Sequence, residues 1–149
     1  MMKILIMGLP GSGKTFLAKE LHNQISLLGR SVSWFNADII REKYNDWDFT
    51  KEGRIRQSVR MNELSNESGS DFVICDFVAP LPEMRDNYKA DLVVWVDTLT
   101  ESRFEDTNQM FTNPEKYDIR VTEQNCEYWS SVILNSINSN NSNNVINIL

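Results

Sequence analysis

Cysteine, histidine and long apolar runs are all scarce in this chain, and each scarcity removes a class of protein. The two cysteines, Cys75 and Cys126, each stand inside an apolar segment, so neither a disulfide framework nor a CxxC metal site is supported; both read as reduced core thiols. The single histidine, His22, falls in the middle of the first helical segment and reads as structural or exposed. No apolar run approaches the roughly 18 residues that a membrane span needs, and the opening MMKILIM lacks a signal peptide's cleavage pattern, so a cytoplasmic protein is the expectation. Basic charge is short as well. With 15 Lys and Arg against 21 Asp and Glu, the net charge of −6 repels a long polyanion and counts against nucleic acid as a partner, though not against a small anion in one basic pocket.

What is present fits a single domain: 149 residues, 41% hydrophobic, enough to bury a core without staples. Residues 3–7 form a short apolar run, followed by glycines and then by Leu17, Leu21, Ile25 and Leu28 at the spacing of one buried helix face, with Gly29 as the stop. Further apolar runs at about 32–36, 72–78 and 92–96 are continuous rather than alternating, which predicts strands buried on both faces and paired in parallel. Helical patterns at about 51–65 and 98–108, the latter opened by a capping-box pair of Thr98 and Glu101, alternate with them. A short strand at about 117–121 and a helix at about 123–137 complete an α/β doubly wound parallel sheet flanked by helices. The working domain is expected over 1–137. The Asn/Ser-rich stretch 138–149 is expected to be a frayed tail, or an added edge strand at VINIL.

The pattern GxxxxGK[ST] is met by Gly8, Gly13, Lys14 and Thr15, with Gly11 and Ser12 between them, and it stands between a strand and a helix as a phosphate-binding P-loop must. Glycines let successive backbone N–H groups turn inward, and the helix start adds its positive dipole end, so the loop cradles a polyphosphate. Lys14 is expected to reach the β and γ phosphates of ATP and the Thr15 hydroxyl to hold Mg2+. The guanine-binding NKxD, the DxxG of GTPases and an LSGGQ-like signature are all missing, which leaves a small kinase.

A kinase needs an acceptor pocket at the carboxyl ends of the strands. Three aspartates stand there. Asp97 precedes a helical pattern and has an easy structural task. Asp76, after VIC, is placed like a Walker B acid that supports Mg2+. Asp38, with Arg41 one helical turn on, can orient an acceptor hydroxyl while the guanidinium holds an anionic group; the plainer account is a helix start beside a solvated arginine. Downstream, Arg54 and Arg60 lie near Tyr44, Trp47 and Phe49. They are either an exposed helix face, with Glu52 and Arg56 paired, or a site that stacks a base and clamps an anion. Trp34, Trp95 and Trp129 read as core.

Taken together, GLPGSGKT, ADIIR, DFTKEGRIRQSVR and ICDFVAP followed by Arg85 resemble the adenylylsulfate (APS) kinase family, over roughly the first two thirds of the chain. The resemblance implies a P-loop kinase of sulfate assimilation that transfers the γ-phosphoryl of ATP to the 3′-hydroxyl of adenosine 5′-phosphosulfate. It assigns Asp38 and Arg41 to the acceptor, Phe49 and Phe77 to stacking its adenine, Arg54 to the arginine of the FSxxDR motif and Arg60 to the second of a later arginine pair. Several family positions differ: DGD reads Asn36-Ala37-Asp38, the aspartate of FSxxDR is Gly53, its asparagine is Gln57, the first arginine of the pair is Val59, and the FISP serine is Ala79. No phosphoserine can form at Ala79, so direct in-line transfer is expected. The lid is shortened to FEDTNQMFTNPEKYD, with no arginine of its own, and charge for the transferring phosphoryl must come from Arg41, Arg54, Arg60, Arg85 or Arg103. The expected partner is a small-molecule nucleotide acceptor, with no nucleic acid and no membrane; a homodimer is compatible with the sequence. Two alternatives stay open: another small P-loop kinase acting on a nucleoside, nucleotide or polynucleotide 5′-hydroxyl, and a non-catalytic ATP-binding domain.

Overall fold

A computed structural model of the chain describes residues 1–142. The elements run β1 (Met2–Met7), α1 (Lys14–Leu27), β2 (Val32–Asn36), α2 (Ala37–Tyr44), α3 (Lys51–Glu67), β3 (Phe72–Asp76), α4 (Pro82–Tyr88), β4 (Leu92–Val96), α5 (Glu105–Met110), β5 (Ile119–Val121) and α6 (Cys126–Ser142). The five strands form one sheet in the order β2-β3-β1-β4-β5, and every pairing is parallel.

The alternation of side chains along a strand explains the layers. On β1, Ile4 and Ile6 point into one core with Leu17, Leu21 and Ile25 of α1 and Ile133 and Ile137 of α6, while Leu5 and Met7 point into the other with Met61 of α3 and Met84 and Tyr88 of α4. Both faces of the central strands are therefore apolar, as their unbroken hydrophobic runs require. The neighbours of β1 are β3 on one side and β4 on the other, so the chain reverses its direction of winding at β1. The carboxyl end of β1, where the glycine-rich loop begins, is the crevice at which such sheets bind ligands.

Four segments depart from the sequence expectations. α2 is additional: the Asn36 side chain accepts from Ile39 N at 3.1 Å and starts a helix through the ADIIR segment. α4 is additional too, with Pro82 in its first turn. The helix expected at 98–108 is reduced to α5, because the Thr98 hydroxyl donates to the Ser12 carbonyl at 2.7 Å instead of capping its own chain. α6 runs on to Ser142, so the Asn/Ser-rich stretch begins as helix. The VINIL segment lies outside the described residues.

Candidate active site

The loop from Gly8 to Gly13 owes its shape to three glycines with φ of +153°, +80° and +105° at positions 8, 11 and 13. Gly8 has a second reason to be glycine, since a Cβ there would lie 2.4 Å from the Val96 carbonyl oxygen. Gly13 is the N-cap of α1, so the helix N-terminus opens directly into the loop. Lys14 is almost fully buried, and its amine donates to the Leu9 carbonyl at 2.9 Å. Burial pushes that amine down to about 8, against the pull of Asp76 and Asp38. The buried Ser12 hydroxyl has no protein partner.

Beyond the loop, Asp76 closes β3 with its carboxylate enclosed. Trp34 Nε1 donates to one oxygen at 2.8 Å and Asn36 Nδ2 to the other at 2.8 Å, while the Asn36 amide also reaches Thr15 Oγ1 at 3.2 Å. Burial pushes the Asp76 carboxyl up to about 6; the Trp34 hydrogen bond and Lys14 pull it the other way. Thr15 and Asp76, both expected at a metal site, thus meet through one shared partner.

The expected acceptor residues divide into two groups. Asp38, exposed in the first turn of α2, faces the same cleft as Lys14, Thr15 and Asp76, and so do Phe49, Arg54 and Phe77; the cleft has a volume of about 990 Å³. Phe77 is the buried wall, packed edge-on to Tyr88 at 5.9 Å, and Phe49 the half-open one. Arg54 donates to the Phe49 carbonyl at 2.9 Å and to Thr107 Oγ1 of α5 at 2.8 Å, joining the acceptor side to the lid.

Arg41 and Arg60 stay out of the cleft lining. Arg41 is buried, donating to the carbonyls of Asp46 and Asp48 at 2.9 and 3.1 Å with its guanidinium 4.4 Å from the Phe49 ring. Arg60 donates to Gln57 and Asp46 and covers the Tyr44 ring. Arg56, expected to pair with Glu52, instead grips Asp46 with two bonds at 2.8 and 2.9 Å and Asp48 at 3.2 Å, and the Arg56 bonds together with that from Arg60 hold the Asp46 carboxyl well below the usual range. These arginines build the 45–50 loop that presents Phe49. Gly53 belongs to the same construction, for a Cβ there would sit 2.2 Å from the Asp48 carbonyl oxygen.

Of the arginines considered for the transferring phosphoryl, Arg54 and Arg103 line the cleft. Arg85 is spent on the carbonyls of Ala79, Pro80 and Thr112. Asp97 takes the structural task, accepting Arg120 at 2.9 and 2.6 Å.

Sequence reading missed Trp34, Asn36, Thr98, Thr107 and Gln124. Asn36 carried a signal, an N-cap amide just before an amphipathic run. Trp34 carried one as well, since a buried indole N–H needs an acceptor. Thr98 and Thr107 act across the fold; the local signal at Thr98 pointed to a helix cap instead, and Thr107 carried none. Gln124 stands between the main cleft and a smaller cavity of about 250 Å³ that shares Gly13, Phe16 and Gln124 with it, and continues to Val96, Val121 and Trp129. That placement allows a nucleotide to lie with its phosphates in the loop and its base in the smaller cavity. Among the described residues, no helix is long and apolar enough to cross a membrane.

Comparison with known proteins bears on this arrangement. A family model described as "Adenylylsulphate kinase" matches residues 1–120. The adenylyl-sulfate kinase of Halothermothrix orenii is 33% identical over 82 residues, covering 52% of this chain and 44% of that protein. The adenylyl-sulfate kinase of Clostridium kluyveri is 34% identical over 86 residues, covering 55% and 43%. The chain thus spans less than half the length of these relatives. In fold it is similar to the Mycobacterium tuberculosis APS kinase CysC solved with AMPPNP and APS, at a TM-score of 0.78 and 17% identity over 91% of this chain and 96% of that one.

Proposed function

Since the chain belongs to the adenylylsulphate kinase family, we propose that it transfers the γ-phosphoryl group of ATP to the 3′-hydroxyl of adenosine 5′-phosphosulfate. One observation carries the reading: the phosphate loop with Lys14 and Thr15, and the acceptor set of Asp38, Phe49, Arg54 and Phe77, line a single cleft. Donor and acceptor can therefore meet without a large rearrangement, which converts a two-body reaction into a positioned one.

In this mechanism the loop formed by Gly8, Gly11, Ser12 and Gly13 binds the ATP phosphates through backbone N–H groups at the start of α1. Lys14 leaves the Leu9 carbonyl to meet the β and γ phosphates, whose anionic oxygens favour its charged form against the opposing effect of burial. Asp38 accepts the proton of the attacking 3′-hydroxyl and aligns its oxygen with the γ-phosphorus. Phe49 and Phe77 hold the acceptor's adenine, and Arg54 and Arg103 balance charge on the phosphoryl group in flight. Arg41 and Arg60 act by supporting the Phe49 loop. The hydroxyl of Thr15 and the carboxylate of Asp76 are hard oxygen donors suited to Mg2+, and both line the cleft beside Lys14. A Mg2+ ion held by Thr15 and Asp76 would supply neutralisation of charge on the β and γ phosphates.

The test is ADP release with Mg·ATP, comparing adenosine 5′-phosphosulfate with nucleosides, nucleotides and a 5′-hydroxyl oligonucleotide. Turnover that requires the phosphosulfate is the expected result. Preference for an acceptor without an anionic group would reassign the specificity, an outcome given weight by the withdrawal of Arg41 and Arg60 from the cleft. Light scattering on the same sample reads whether the protein pairs as a homodimer.

A further inference from the structure

The side chain of Asn36 touches three parts of the site at once. Its Nδ2 donates to Asp76 Oδ1 at 2.8 Å and to Thr15 Oγ1 at 3.2 Å, and its Oδ1 accepts from Ile39 N at 3.1 Å. Asn36 and Asp76 are register partners at the carboxyl ends of β2 and β3, so the contact is fixed by sheet pairing rather than by a loop. Both amide donors and the amide acceptor are in use. A carboxylate here could accept but not donate, and would face the Asp76 carboxylate at hydrogen-bond distance.

We infer that Asn36 is a positioning residue for phosphoryl transfer: its amide N–H groups orient Thr15 and Asp76 toward the nucleotide-bound cation, while its carbonyl fixes the helix start that carries Asp38. The inference rests on the proposed roles of Thr15, Asp76 and Asp38. Trp34 assists from the other side, its indole N–H holding Asp76 Oδ2 at 2.8 Å. With one N–H on each oxygen, the carboxylate is held in one orientation at the lining of the cleft, with acceptor capacity left for a cation or its water. Donor and acceptor geometry then share one side chain, and a shift at residue 36 moves both.

The experiment separates positioning from helix capping. Asn36→Ser keeps a good N-cap but is too short to bridge Thr15 and Asp76. Binding of a non-hydrolysable ATP analogue is measured by calorimetry with Mn2+ and with excess EDTA, and bound Mn2+ is counted by electron paramagnetic resonance. For Asn36→Ser the expected result is a loss of roughly tenfold or more in Mn2+ affinity, with metal-free nucleotide affinity and Tm close to wild type. Trp34→Phe, which removes one donor and leaves Asn36, is expected to give a smaller loss of the same kind. Wild-type Mn2+ affinity in Asn36→Ser would overturn the inference, as would an equal fall in metal-free binding and Tm. These readouts need no acceptor: a wild-type chain that binds Mn·ATP but phosphorylates no phosphosulfate removes the substrate reading and leaves this one standing.

Discussion

Two buried lysines stand at opposite ends of the central strand, and the molecule treats them differently. Lys3, at the start of β1, donates its amine to Asn62 Oδ1 and to the Tyr88 carbonyl, and lies 4.6 Å from the centre of the Tyr88 ring, while its backbone N–H meets Asp91 at 2.8 Å. Lys14, just past the far end, has a single carbonyl as its partner, in a loop held open by left-handed glycines. Burial lowers both amines. A fully partnered buried charge is a clasp between α3, α4 and the sheet; one with a single weak partner is held ready for a ligand. Under the proposed function the amino end of the sheet serves stability and the carboxyl end the chemistry, an asymmetry that the parallel topology makes available.

Paired substitutions test that division most directly. Lys14→Met is expected to cut turnover roughly 1,000-fold or more while leaving Tm equal to or above wild type, since it removes a buried charge; differential scanning fluorimetry alongside the kinase assay reads both. A Tm that falls with activity would place Lys14 with Lys3. Asp38→Asn should lower turnover roughly 100-fold with nucleotide affinity intact, as loss of a positioned base predicts. Unchanged turnover would take Asp38 out of the carboxyl-end machinery.

At the opposite end, Lys3→Met takes the amine from the Tyr88 carbonyl and leaves Asn62 Oδ1 with only Asn66 Nδ2 at 3.4 Å, and should cost about 2–3 kcal/mol. That is a fall of roughly 5–10 °C in Tm for a domain of this size, with ATP affinity within twofold of wild type. The smallest effect is in pH. The folded chain releases the Lys14 proton near 8, whereas the unfolded chain keeps it until near 10.5, so the folded state binds fewer protons between those values and the stability cost of burying the charged amine is relieved as pH rises. From pH 8 to pH 9 the gain is about 1 kcal/mol, and Lys14→Met should lack it in urea titrations.

How far the sequence disclosed this arrangement follows from where each contact comes from. The glycine loop, the apolar strands and Asp76 were legible because their signals are contained within a few consecutive residues. Asp38 was legible through its place after a strand. The same logic could not give the direction of Arg41 and Arg60, which is set by how Asp46, Asp48 and Gly53 pack the 45–50 loop, a matter of tertiary shape. The Thr98–Glu101 pattern was a sound local signal for a helix, overruled when the Thr98 hydroxyl found Ser12 across the cleft. Asn36 and Trp34 were visible as residue types, but their meeting at Asp76 depends on the β2–β3 register.

The closure of the phosphate loop also bears on how the chain acquires its affinity. Residues 8–15 contain the whole motif, yet its walls arrive later: Val96 presses its carbonyl on Gly8, and Thr98, 86 residues beyond Ser12, fastens the loop from outside. β1 itself pairs only with strands that begin at Phe72 and Leu92. Such long-range closures are slow to nucleate, because loop entropy is lost before the contacts form. A chain that stops short of β4 and the turn after it would hold the motif without the walls that Val96 and Thr98 supply. A ligand that prefers the finished loop would then pull the last strands into place, and under the proposed function that ligand would be ATP, coupling nucleotide binding to completion of the fold.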